Sequence, residues 1–84
     1  MALTIQQIEA SNHISTSEIK QDVSLNNRDI ELFRKKLEVA NEEMDRWEIM
    51  KAEKNLRELL EFQDNLLEIL AYREAKEITN SMIN

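Results

Sequence analysis

The chain has 84 residues, a formal net charge of −6, and no glycine, proline or cysteine. An average sequence of this length carries about ten glycines and prolines together. Their absence removes glycine-built turns, nucleophile elbows and phosphate-cradling loops, and the absence of cysteine excludes disulfides and thiolate metal sites.

The first residues, Met1 to Ile5, lack the basic region and long apolar run of a signal peptide, so a cytoplasmic start is expected. Residues 1–26 are read as a polar N-terminal arm, because Ser11, Asn12, Ser15, Thr16, Ser17, Ser24 and Asn26 carry side chains that compete with helix for backbone bonds. Thr4 with Gln7 and Ser15 with Glu18 have the spacing of capping boxes, which predicts one or two short helices joined by polar punctuation at Ser11–Ser15. Alone the arm buries little, so it is expected either to fold back on the body or to order on assembly.

Residues 27–84 form the predicted body, with Asn27 as the expected helix cap. From there Ile30, Phe33, Leu37, Ala40, Met44 and Trp47 recur at spacings of 3 and 4, an unbroken heptad seam. Continued in the same register, that seam would meet Lys51, Lys54, Glu58 and Glu61, so it stops. A second seam takes over through Ile49, Ala52, Leu56, Leu59, Gln63, Leu66 and Leu70, widened by Leu60, Leu67 and Ala71. On an unbroken helix the two stripes lie about 110° apart. The pattern admits a helical hairpin, or one long helix that shows different faces to different neighbours. A hairpin turning near Lys51–Asn55 is preferred, since a straight helix from Arg28 to Ile78 would run about 75 Å with little to bury it. A turn at Ala40–Asn41, with Asn41 capping a helix that opens on Glu42 and Glu43, is the alternative. The fold class is therefore all-α: a long helical hairpin or coiled-coil-like helices with a short helical arm.

Charge is uneven. Between Glu38 and Glu68 there are ten acidic residues against four basic ones, a distribution that repels phosphate backbones and disfavours nucleic acid. Glu31 with Lys35, Glu42 with Arg46, and Glu53 with Arg57 have the i, i+4 spacing that supports helix. Arg34-Lys35-Lys36 reads as a solvated face. His13 is the only histidine and lacks the companions that a metal needs. Glu58, Glu61 and Asp64 share a face at three-residue spacing, as in di-metal bundles, but those also need histidines on the same helices. No catalytic residue, cofactor, metal or small-molecule substrate is expected. No window is apolar for about 18 residues, so no membrane span is expected.

What remains is helix packing. Chains this small commonly gain stability by oligomerising or docking on a partner. The expected partner or oligomer interface is Ile30, Phe33, Leu37, Met44, Trp47, Leu56, Leu59, Leu66 and Leu70, with Gln63 resembling the buried polar residues that set register between paired helices. The expected function is that of an adaptor, regulator or small chaperone. An acidic mimic that occupies a nucleic-acid-binding groove is a further option.

The run Leu59-Leu60-Glu61-Phe62-Gln63, with Leu66, Glu68, Tyr72-Arg73 and Ala75, resembles the C-terminal helix of type III secretion needle proteins, and Asp29-Ile30-Glu31-Leu32-Phe33 resembles the related inner-rod proteins. The resemblance covers about a third of the chain. It implies two helices joined by a short turn near Ala52–Asn55, and a secreted, self-assembling structural subunit. The chain departs from that family in having no proline-containing turn.

Overall fold

Side-chain caps decide where the helices start. Thr4 opens α1 (Ile5–Ala10) with a complete capping box: Gln7 N–H donates to Thr4 Oγ1 at 3.2 Å, and Thr4 N–H donates to Gln7 Oε1 at 2.9 Å. A single 3-10 turn, Ser11–His13, follows, in which the His13 ring donates from Nδ1 to the Ala10 carbonyl at 2.9 Å. Ser15 then caps α2 (Thr16–Glu42), its Oγ accepting from Glu18 N–H at 3.1 Å. The last helix, α3, spans Arg46–Ile83. This is a computed structural model that describes residues 3–83. Met1 and Ala2, which begin the stretch lacking signal-peptide character, and Asn84 lie outside the described residues.

The long helix thus begins at Thr16 and not near Asn27. Serine and asparagine lower helix propensity by only about 0.5–0.7 kcal/mol each, a bias that tertiary partners override. Asn26 and Asn27 lie in mid-helix because their amides bond across to α3.

The chain reverses at Glu43–Asp45, so the turn expected at Lys51–Asn55 is interior helix, as is the Ala52–Asn55 turn implied by the needle resemblance. The reversal is a Schellman motif. Asp45 N–H donates to the Ala40 carbonyl at 3.1 Å and Met44 N–H to the Asn41 carbonyl at 3.2 Å, satisfying two of the carbonyls that a helix end leaves open. The residue that takes the left-handed conformation is Met44, with φ 56°, a position where a side chain costs about 1–2 kcal/mol. Asp45 is also the cap of α3: its Oδ1 accepts from Glu48 N–H at 3.2 Å, and its carbonyl takes the first helical bond, from Ile49, at 2.9 Å. Asn41, the alternative cap, sits in the last turn of α2.

α2 and α3 pack antiparallel along two heptad stripes. On α2 the stripe is Ile19, Val23, Asn26, Ile30, Phe33, Leu37 and Ala40, which extends the first seam back by about three turns. On α3 it is the second seam as read, Ile49 through Leu70, each member buried or half-buried. Ile19 is the deepest side chain, 1% exposed. Met44 and Trp47 leave the seam because the turn intervenes. Leu60, Leu67 and Ala71 lie outside it and are exposed.

One polar layer interrupts the apolar seam. Asn26 Nδ2 donates to Gln63 Oε1 at 3.0 Å and to the Leu59 carbonyl at 2.9 Å, while Gln63 Nε2 donates to Asn27 Oδ1 at 2.7 Å. Asn26 is 5% and Gln63 9% exposed, and among the described residues no buried side-chain polar atom lacks a partner. Placing Asn26 opposite Gln63 fixes the register, because a slide of one heptad would set these amides against aliphatic side chains.

The arm folds back on α3. Leu3 N–H donates to Glu68 Oε2 at 2.9 Å, and Tyr72 Oη donates to Glu9 Oε1 at 3.3 Å. Arg73 holds the link between α1 and α2, donating to the carbonyls of Ser11 and Ile14 at 3.0 and 2.8 Å and to Thr16 Oγ1 at 3.0 Å. Ile8 is the buried anchor of α1. Since Arg73 meets the first turn of α2, residues 74–83 continue past it for about 15 Å, with Lys76, Glu77 and Asn80 lining an open recess shared with Asn12, Ile14 and Ser15.

Among the described residues the ion pairs are Glu31–Arg34 at 3.2 Å and Glu48–Lys51 at 3.5 Å, both exposed, and such pairs contribute at most about 1 kcal/mol. The expected Glu42–Arg46 pair straddles the turn and is not helical. No helix among the described residues is long and apolar enough to cross a membrane.

Candidate interaction surface

The hairpin extends 59 × 21 × 20 Å, with a Cα radius of gyration of 16.9 Å, against about 12 Å for a compact domain of this length. It exposes 6723 Å², where a globular protein of this mass exposes about 5,200 Å². A rod two helices thick cannot cover four helix flanks, so apolar side chains that would be interior in a bundle face water.

Of the nine residues expected at a partner interface, seven are committed to the hairpin's own seam. Ile30 and Leu66 are buried; Phe33, Leu37, Leu56, Leu59 and Leu70 are half-buried. Only Met44, 84% exposed, and Trp47, 67% exposed, are free. With Met50 they make an apolar tip at the turn, bordered by the exposed carboxylates of Glu42, Glu43 and Glu48.

Two flanks carry the remaining apolar surface. On the first, Leu25, Leu32 and Val39 recur every seven residues along α2, each about half exposed. Between this stripe and α3 lies an open groove of about 560 Å³ toward the turn end. Ala40 and Ala52 are small enough to leave the space, Leu32, Val39 and Asn55 wall it, and Lys35, Lys36 and Lys51 stand at its rim with Glu43 and Glu48. The Lys36 ammonium lies 4.8 Å from the centre of the Phe33 ring, near enough for a cation–π contact. Phe62, half exposed, is on this same side of α3, two turns beyond Asn55. On the opposite flank, Leu60 and Leu67 are exposed, and Ile78 and Met82 extend the apolar surface onto the last turns of α3.

The stripe of Leu25, Leu32 and Val39 makes no alternating three- and four-residue pattern, because it is one residue wide. Its signal is strict seven-residue recurrence. His13 is exposed and engaged with the Ala10 carbonyl, and Glu58, Glu61 and Asp64 face solvent on α3. Comparisons of the chain with protein-family models, with curated proteins and with solved structures returned no match.

Proposed function

We propose that this chain is a non-enzymatic helical interaction protein, an adaptor, regulator or small chaperone, whose hairpin uses one stripe of each helix to fold and leaves the others for association. The observation that carries this reading is the tip. Tryptophan and methionine concentrate at the centres of binding interfaces, and Trp47, Met44 and Met50 stand exposed at the end of a rod whose own core does not need them.

Trp47→Asp tests it. Because the indole is mostly exposed, thermal unfolding should shift by less than about 0.5 kcal/mol, while recovery of a protein partner from the source cell should be lost. Undiminished recovery, or a large drop in stability, would overturn the assignment of the tip to binding.

A second reading, a self-assembling structural subunit of the kind implied by the needle-like resemblance, is supported by apolar stripes on opposite flanks. Contacts between unlike faces can add subunits without closing. Electron microscopy of concentrated protein tests this, with filaments expected and their absence across salt and pH counting against it.

A further inference from the structure

We propose that two copies of the chain associate as an antiparallel, two-fold symmetric dimer through the flank of Leu25, Leu32, Val39 and Phe62, with the symmetry axis passing at Leu32. The inference rests on the reading of this chain as an interaction protein and names one partner, a second copy of itself.

The argument is one of register. Asn26 bonds to Gln63 across the hairpin, so Phe62 stands at the height of Asn27 on α2, and Ala52, in the floor of the groove, at the height of Leu37. Asn27 and Leu37 are each five residues from Leu32, about 7.5 Å along the helix in opposite directions. A two-fold axis through Leu32 and perpendicular to the rod therefore carries Phe62 of each copy onto the groove of the other. The same axis sets Leu32 against Leu32, and Leu25 against Val39 of the second copy, since both are seven residues from the centre. Protrusion and recess thus lie on one face at equal distances from one residue. That is the self-complementarity an isologous interface requires, and an unrelated helix has no reason to match it.

Charge agrees on the inner edge. Asp29, three residues before the axis, comes beside Lys36 of the second copy, four residues after it, and the pair occurs twice. On the outer edge Arg28 approaches Lys35 of the second copy; both side chains are long and exposed, so their charged ends can turn outward into solvent. The area is also adequate. The chain exposes 6723 Å², about 1,500 Å² above a globular protein of its mass, and a standard interface covers about 800 Å² per partner.

The test is the mass of the intact chain in solution across a concentration series, together with single-cysteine cross-linking, which is unambiguous because the chain has no cysteine of its own. The expected mass is twice 10.0 kDa. Leu32→Cys should form a disulfide dimer under mild oxidation, because the axis brings the two positions within bridging distance, whereas Leu67→Cys on the opposite flank should not. Phe62→Lys should weaken the dimer by at least about a hundredfold. Asp29→Lys should weaken it about tenfold, and Asp29→Lys with Lys36→Asp should restore it. Circular dichroism of each variant confirms the helical fold independently. A 10.0 kDa mass at the highest concentration, preferential cross-linking at Leu67→Cys, or no rescue by the double charge reversal would each overturn the proposal. A monomer whose partner recovery still depends on Trp47 would defeat the dimer and leave the interaction reading standing. A dimer indifferent to Trp47 would do the reverse.

Discussion

The two ends of the hairpin solve one problem, reversing a chain without glycine or proline, by different means. At the turn end the backbone does it: Met44 takes a left-handed conformation, and Asp45 both closes α2 and opens α3. At the open end a side chain does it, as the Arg73 guanidinium collects the carbonyls of Ser11 and Ile14. The first device is local and tight, involving residues adjacent in sequence. The second spans about sixty residues and works only after α3 has docked. The turn can therefore form early and alone, whereas the arm depends on tertiary structure.

Four substitutions sharpen that contrast. Ile19→Ala, at the deepest point of the open end, should destabilise the hairpin by about 3 kcal/mol in denaturant unfolding, since the cavity cannot collapse between two packed helices. Arg73→Ala should cost about 2 kcal/mol, given three charge-assisted bonds at a partly exposed site. Its loss should appear in hydrogen exchange as deprotected amides in residues 5–15 with the α2–α3 seam unchanged, and a uniform loss of protection would contradict the separation of arm from hairpin. Asp45→Ala removes the shared cap and should cost about 1 kcal/mol. Met44→Gly is the smallest change and has the opposite sign: relief of the left-handed conformation should stabilise by about 0.5–1 kcal/mol, raising the melting temperature by a few degrees.

The same contrast explains what the sequence disclosed. The stripe from Ile49 to Leu70 was legible because aliphatic side chains at alternating spacings of three and four have few readings other than a buried helix face. The change of phase between the two stripes left a hairpin and one long helix equally open, and the length of a straight helix with little to bury it favoured the hairpin. Its turn lies several residues before the break between the stripes, because the local signal is Asp45 three residues before Glu48, a cap and its N–H donor. Met44 and Trp47 fit the first seam by spacing alone, and spacing is blind to a chain that has already turned. The early part of α2 was hidden for the opposite reason. Ser24, Asn26 and Asn27 are poor helix formers until Gln63 arrives to bond two of them, and a partner 36 or 37 residues away leaves no local trace. Of the candidate surface, the tip was visible as large apolar residues, while Leu25, Leu32 and Val39 were too sparse to stand out.

The amide layer at Asn26 and Gln63 also limits how such a chain can change length. One residue added between Asn26 and Glu42 would swing the whole upstream part of α2 about 100° around its axis, pulling Asn26 off Gln63 and Thr16 away from Arg73. Adding one residue to α3 below Gln63 as well would restore the level of the two amides but not their facing. Lengthening is therefore tolerated only in whole heptads inserted into both helices at once, which preserve both the level and the facing of the two amides.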